Sequence, residues 1–318
     1  MNTVWRWGSR LLTAALALYV IVFAAGTLQL QTIKDALSNI HILIGTLAAT
    51  LCYTLIYPLT GWAWHKLLLR QEEQYSAITL TRIIGLTQIA KYIPGNIAQH
   101  VSRAALSLKI GITPKSYIAS AGQEAILTVG ASLCIGTVAL AASQSGMNLL
   151  RTQGYSAPFY MLTGASLIGT MLLCIDLPAK SLCRSNRWSV RMLGKMGGLP
   201  GPATALTALA AYATNFFAVG IGIWLLSRTL GLDEEIDLPL ATAAFALSWT
   251  LGFLAPGAPA GLGAREGIML LILEGHGNHE QILLLVLLTR TSSMVGDLAV
   301  FLLSLVTSRG QQSGVSIS

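Results

Sequence analysis

The chain has 318 residues, of which 53% are apolar and only 10% are charged, and its mean hydropathy is +0.64. Soluble domains carry about a quarter charged residues, so this composition excludes an ordinary water-soluble domain and indicates a protein whose solvent is lipid. The net charge of +7 is expected to mark cytoplasmic loops. Because no aromatic-basic recognition motif occurs, we predict no nucleic-acid partner.

Six apolar runs are long enough to cross a bilayer as helices, which takes about 20 residues each. The first run follows two arginines and is longer than the hydrophobic region of a signal peptide, which has about 7–15 residues. We therefore predict that it is a membrane helix. The predicted spans are residues 11–30, 40–64, 116–142, 156–175, 202–227 and 281–305.

Two further apolar segments are interrupted near their middle, which a simple span would not be. Residues 76–110 are cut at Pro94-Gly95, and residues 238–273 are cut at Pro256-Gly257. Proline removes a backbone donor and clashes with the preceding turn, whereas glycine adds backbone freedom. Each segment is therefore predicted to form two half-length helices, a re-entrant hairpin that enters and leaves the membrane on the same side.

Charged loops predict the orientation of the chain. Basic residues precede the first span at positions 6–10, follow the second at 66–70 and follow the fourth at 180–195, while an acidic run follows the fifth at 233–237. Lys and Arg collect in cytoplasmic loops. We predict a multi-pass protein of the cytoplasmic (inner) membrane with both termini in the cytoplasm.

The two broken segments also indicate an internal repeat. In both, an arginine follows the proline by nine residues, Arg103 after Pro94 and Arg265 after Pro256, and the two copies are 162 residues apart. Residues 1–150 and residues 151–318 would then each contain three spans and one hairpin. Three is an odd number of crossings, so the sequence predicts an all-α fold with an inverted-topology repeat, in which such paired breaks point to the binding site.

The residues around the breaks are suited to holding an anion within the membrane. A buried arginine costs about 2.5–3.5 kcal/mol on insertion scales, and a helix that starts after a break presents free N–H groups and a positive end. Guanidinium groups bind phosphate or carboxylate in a forked geometry. The candidate substrate-binding residues are Lys91, Pro94, Gly95, Asn96, Arg103, Glu124, Pro256, Gly257, Arg265, Glu266 and Arg290.

A purely structural role for these charges is the alternative, because buried charges are usually paired. Arg103 would then pair with Glu124, and Arg290 with Glu266 or Asp297. Lys91 also has two possible roles. It could extend to the cytoplasmic interface, or it could take part in the function.

The motif Lys91-Tyr-Ile-Pro-Gly-Asn with Arg103, and the motif Pro-Ala-Gly-Leu-Gly-Ala-Arg265-Glu266-Gly, resemble those of the lysylphosphatidylglycerol synthase transmembrane region family. Glu124 and Arg290 are similar to the family as well. That family includes the flippase domain of the bacterial aminoacyl-phosphatidylglycerol synthase. The chain departs from the family at Ala125, where an arginine is common, and at Thr128, where an acid is common.

The resemblance implies a flippase-like membrane protein that moves or binds an anionic or phosphorylated lipid, either a phospholipid or a lipid-linked glycan precursor. We predict no enzyme activity and expect no aminoacyl-transferase domain, so the protein is not expected to make lysyl-lipid. The alternative is a membrane-embedded accessory protein or transferase in glycan or glycolipid assembly, with glycan-assembly enzymes as partners. No cofactor is predicted, and no metal site, because the four cysteines form no CxxC pair.

Overall fold

The computed structural model describes residues 38–93, 98–152, 154–175, 198–254 and 263–313, and the regular elements within these ranges are all helices. The predicted span 11–30 lies outside the described residues. The helices are α1 (Ile40–Thr54), α2 (Ile56–Leu69), α3 (Ala77–Gln88), a 3-10 turn (Ile89–Tyr92), α4 (Ala98–Lys109), α5 (Pro114–Ala142), α6 (Gln144–Thr152), α7 (Ser156–Leu172), α8 (Pro202–Thr229), α9 (Leu238–Leu254), α10 (Ala264–Leu273) and α11 (His279–Ser313).

Four helical stretches of the described chain are long and apolar enough to cross a membrane: Ile40–Leu69, Pro114–Ala142, Pro202–Thr229 and His279–Ser308. They correspond to the predicted spans 40–64, 116–142, 202–227 and 281–305. The first stretch extends five residues further than predicted, because the predicted span stops before the polar pair His65-Lys66 whereas the helix continues through it to Leu69.

The helix at the predicted span 156–175 is shorter than predicted. Helix α7 ends at Leu172 and has 17 residues, or about 26 Å at 1.5 Å per residue, which is less than the ~30 Å hydrocarbon core. It begins directly after a turn at Gly154, whose φ is +74°. The helix therefore does not belong with the four long spans.

Both interrupted segments form pairs of short helices whose two ends meet. At the base of the α3–α4 pair, the Tyr75 hydroxyl donates to the carbonyl of Ile110 at 3.1 Å, and near its tip Gln99 Nε2 donates to Gln88 Oε1 at 2.9 Å. In the α9–α10 pair, a Cβ added at Gly252 would collide with the side chain of Arg265. The breaks themselves, with Pro94, Gly95, Asn96, Pro256 and Gly257, lie outside the described residues.

At the base of the α9–α10 pair, a Cβ at Gly277 would collide with Leu232. These two residues flank the pair, Leu232 before α9 and Gly277 after α10. The chain therefore leaves each pair close to where it entered, as a helical hairpin does.

The long stretch α1–α2 packs antiparallel to α8 through small residues. A Cβ at Gly45 would lie 2.8 Å from the Thr229 side chain, and one at Gly222 would lie 3.0 Å from the Ala49 backbone. Further along, Asn215 Nδ2 donates to an oxygen of the α2 residue Thr60 at 3.1 Å. Small residues allow this close approach, on which helix association in lipid depends.

The first helix of each hairpin packs against the last long helix of the other half. For α9 and α5, the Ser132 hydroxyl donates to the carbonyl of Ala246 at 2.7 Å. For α3 and α11, a Cβ at Gly85 would collide with the Ser304 hydroxyl and lie 3.0 Å from Val300. The two hairpins are thus held by reciprocal contacts.

Two glycines about 160 residues apart make the same kind of contact in the two halves. A Cβ at Gly61 on α2 would lie 2.9 Å from Thr81 Cα on α3, and one at Gly220 on α8 would lie 2.8 Å from Thr242 Cα on α9. In each half, a glycine of the long helix therefore receives the threonine of the following hairpin helix.

The outer faces of these helices are apolar. Large hydrophobic side chains that are more than half exposed occur on many of the helices, among them Leu47, Leu51, Ile78, Ile118, Met161, Met171, Leu206, Leu271, Leu303 and Val306. A soluble protein rarely exposes so many large apolar side chains. Lipid tails are the solvent that suits them.

Candidate functional site

An open cavity of about 210 Å³ lies between the two hairpins and the long helices. Both arginines singled out by the repeat, Arg103 and Arg265, line it, and so do Lys91 and Glu124. These four predicted residues are therefore brought together. The predicted Glu266 and Arg290 instead line a smaller cavity, to which Arg265 also contributes.

Arg103 is paired with Glu124 in a two-pronged ion pair. Its two terminal nitrogens lie 2.8 and 2.6 Å from the two carboxylate oxygens, and its guanidinium carbon lies 3.8 Å from the ring centroid of Trp64. The Trp64 ring is held in turn by a 3.0 Å hydrogen bond from its Nε1 to Ser120 Oγ. The pairing that the sequence left open is thus formed.

Lys91 is buried and paired, and it does not extend to the membrane interface. Its Nζ lies 2.6 Å from Asp297 Oδ2 and 3.2 Å from the hydroxyl oxygen of Tyr53. The Asp297 carboxylate also accepts hydrogen bonds from the hydroxyls of Tyr53, Tyr57 and Tyr92. A fully buried carboxylate requires such donors; here they connect the 3-10 turn of the first hairpin to α1, α2 and α11.

Glu266 is the partner of Arg290, with Nε and Oε1 3.2 Å apart. The other carboxylate oxygen of Glu266 accepts the backbone N–H of Gly263 at 2.7 Å, which places Glu266 at the capped start of α10. Of the two partners that the sequence allowed for Arg290, the structure therefore uses Glu266, since Asp297 is taken by Lys91.

Arg265 is the cation of this group that lacks a carboxylate partner within the described residues. Its guanidinium lies 5.7 Å from the ring centroid of Trp249, and its buried Nε has no hydrogen-bond partner there. Gly252 provides the space in which this side chain lies.

The charged side chains of the described residues around the two cavities leave one positive charge in excess. Three carboxylates, Glu124, Glu266 and Asp297, pair with three of four cations, and the unpaired one is Arg265. The breaks at residues 94–97 and 255–262 add no ionisable side chain. In a region of low dielectric constant, an uncompensated charge attracts an anion strongly.

One wall of the large cavity is aromatic. Trp249 and Phe253 stack with centroids 5.1 Å apart, and Phe216 meets the edge of Trp249 at 5.4 Å. Polar side chains line the cavity as well, including Gln88, Gln99, Thr60, Thr128 and Asn215. The cavity can thus accept a polar, negatively charged group beside an apolar one.

From the sequence, Asp297 was predicted only as a possible partner for Arg290, and its hydrogen bonds with three tyrosines were not predicted. Tyr53 and Tyr57 are four residues apart, a spacing that places them on one helix face, and an aspartate inside an apolar span is a rare and costly residue. These two signals were available. Neither signal predicts that Asp297 contacts Lys91 and Tyr92, which are distant from it in the chain.

The family model described as lysylphosphatidylglycerol synthase TM region matches residues 10–300. The chain belongs to this family. No curated protein matches it. Two departures from the motifs of the lysylphosphatidylglycerol synthase family, Ala125 and Thr128, both line the large cavity, and the Thr128 hydroxyl donates to the carbonyl of Glu124 at 2.7 Å. Neither supplies a charge that would cancel the excess at Arg265.

Proposed function

We propose that this protein is a transporter and not an enzyme, and that it moves a membrane lipid with an anionic phosphodiester headgroup between the leaflets of the cytoplasmic membrane. The observation that carries the proposal is the single excess positive charge at Arg265, in a cavity that Arg103 and Lys91 also line. A phosphodiester carries one negative charge, so its entry would make the site neutral.

The chemistry of the cavity suits the two parts of such a lipid. Arg265 would bind the phosphate as a charge-assisted donor. Hydroxyl groups of the headgroup would be bound by the polar side chains of the cavity, those of Thr60, Gln88, Gln99, Thr128 and Asn215. The acyl chains would stay beside the exposed apolar faces of the helices. An aqueous anion would not need the aromatic wall formed by Phe216, Trp249 and Phe253.

We further propose that the two hairpins are re-entrant and that the halves form an inverted-topology repeat. The antiparallel packing of α1–α2 on α8, the reciprocal contacts between hairpins and long helices, and the matching glycine contacts at Gly61 and Gly220 support this arrangement. In inverted repeats the two halves rock about a site at their interface. Here that interface would contain the large cavity, and both termini would be cytoplasmic.

A lipid-flipping assay tests the proposal. The purified chain is placed in liposomes with fluorescent phosphatidylglycerol, or with fluorescent phosphatidylcholine of the same acyl chains, and the outer leaflet is bleached chemically. We expect faster flipping of phosphatidylglycerol than of phosphatidylcholine. Arg265→Gln should slow it about tenfold or more, because a hydrogen bond to a charged group contributes about 1.5–3 kcal/mol.

The matched control is Arg228→Gln, which removes an arginine that is about half exposed at the end of α8. It should flip lipid at the wild-type rate. Equal rates for the two lipids, or an unchanged rate in Arg265→Gln with folded protein, would contradict the proposal.

A further inference from the structure

The smaller cavity, about 40 Å³, has about a fifth of the volume of the large one and lies next to it. Tyr53, Phe245 and Arg265 line both cavities and therefore form the partition between them. Among the described residues, the charged side chains that line the smaller cavity are Arg265, Glu266 and Arg290, which gives it an excess of one positive charge.

Several buried donors face this cavity without a partner among the described residues. The Arg290 side chain is only 7% exposed, yet its Nε and Nη2 have no hydrogen-bond partner, and the same is true of Arg265 Nε and Thr289 Oγ1. The Arg290–Glu266 contact brings opposite charges together without a well-aligned hydrogen bond. Buried polar groups are almost always satisfied, so an acceptor from outside the chain is expected here.

The other hydroxyls of the cavity are already engaged. Ser248, Ser292 and Ser293 donate to the backbone carbonyls of Phe245, Thr46 and Arg290, respectively. The free donors are therefore the two guanidinium groups and Thr289. Arg265 and Arg290 also repel one another electrostatically, and a shared anion would offset this repulsion.

We propose that the smaller cavity is a binding site for a small monovalent inorganic anion of the chloride class, held between Arg265 and Arg290 with the Thr289 hydroxyl as a further donor. Water alone would satisfy the donors but leave the excess charge, whereas an anion does both. The cavity's smaller volume favours an ion over a lipid headgroup.

On the basis of the proposed lipid transport, we expect the small anion and the lipid to compete. Because Arg265 also lines the large cavity, a lipid phosphate and the small anion compete for the same guanidinium. The small anion would then occupy the empty transporter and leave when lipid enters.

The anion site itself is tested without any transport measurement. The full chain, purified in lipid-free detergent with gluconate as the only anion, is titrated with sodium chloride or sodium bromide while its thermal unfolding is followed. Binding to the folded state raises the melting temperature in a saturable manner. We expect this rise for both halides, and an anomalous peak between Arg265 and Arg290 in crystals that contain bromide.

Thr289→Val is the decisive variant, because it removes one unpartnered donor and leaves all three ion pairs intact. It should weaken halide binding about two- to tenfold, as expected for the loss of one hydrogen bond. Arg290→Gln should abolish the saturable rise, and Arg228→Gln should leave it unchanged. If Arg290→Gln does not fold, Thr289→Val and the bromide peak decide the question.

Three results would overturn the proposal: a melting temperature that rises linearly with salt, a response of Thr289→Val equal to that of the wild type, or stabilisation by phosphatidylglycerol without any by halide. The last result would assign the smaller cavity to the lipid. Halide binding in a protein that flips no lipid would retain the anion site while the proposed transport fails.

Discussion

Glu124 shows how one side chain determines the charge state of the large cavity. Its carboxylate neutralises Arg103 at 2.6 and 2.8 Å, whereas Arg265, which follows its own proline by the same nine residues, has no such partner among the described residues. The difference arises because Glu266, the nearest acid in sequence, is used to cap α10 and to pair with Arg290. A single missing carboxylate thus makes the site cationic.

Glu124→Gln should destabilise the folded protein, because it leaves the Arg103 guanidinium buried without its counter-charge. Removing one partner of a buried pair costs on the order of 3 kcal/mol. Since Glu124 borders an open cavity, solvent would reduce that loss. Thermal unfolding in detergent, followed by fluorescence, would measure it.

The double variant Arg103→Gln, Glu124→Gln serves as the control for this prediction. It removes both charges and should be more stable than Glu124→Gln alone. If the double variant is the less stable of the two, the pair does not act as one unit and the charge argument fails.

At the scale of helices, the packing depends on glycines that lie against a neighbouring backbone. Gly61 faces Thr81 on the first hairpin and Gly220 faces Thr242 on the second. No side chain fits at these points without separating the helices, because the obstacles include the Cα atom of each threonine as well as its side chain.

Gly61→Ala should lower stability by about 1–3 kcal/mol, the usual effect of overpacking a close contact. Gly220→Ala should do the same if the two contacts are equivalent. The matched control is Gly164→Ala on α7, where an added Cβ meets no atom within 4 Å; there the substitution should stabilise the helix by about 0.5–1 kcal/mol.

Melting temperatures of the three variants in one detergent would provide the comparison. Equal effects of Gly61→Ala and Gly164→Ala would show that α2 and α3 are not in close contact in solution.

At the scale of the whole molecule, the proposed inverted repeat predicts on which side of the membrane each hairpin lies. Each hairpin should enter and leave on one side, the first from the cytoplasm and the second from outside. Four exposed positions lie at or next to the ends of the hairpins, Glu72, Lys109, Glu234 and Glu274, and they can therefore report on it.

Four variants would each carry one cysteine at one of these positions, in a chain whose four native cysteines are replaced. Each variant would be labelled with a membrane-impermeant maleimide. Positions 234 and 274 should react in intact cells, and positions 72 and 109 only after the membrane is opened. Reaction of 72 and 109 from opposite sides would show that α3 and α4 cross the membrane as a unit.

Much of the helix pattern could be predicted from the sequence, because hydropathy and Pro-Gly breaks are local properties. The four long spans and the division of both interrupted segments into short helices are examples. Helix α7 was predicted too long, since apolar composition continues past Leu172 where the helix ends. The pairs Arg103–Glu124 and Arg290–Glu266 were predicted only as one of two alternatives.

The sequence by itself determined the solvent of this protein, the positions of its helices and the places where charges must be buried, because each depends on residues close together in the chain. Only the tertiary structure decided how those charges combine. Lys91 meets Asp297 across most of the chain, and no local pattern contains that contact. Because pairing depends on which helices pack together, folding alone determines that Arg265 is the cation without a carboxylate partner among the described residues.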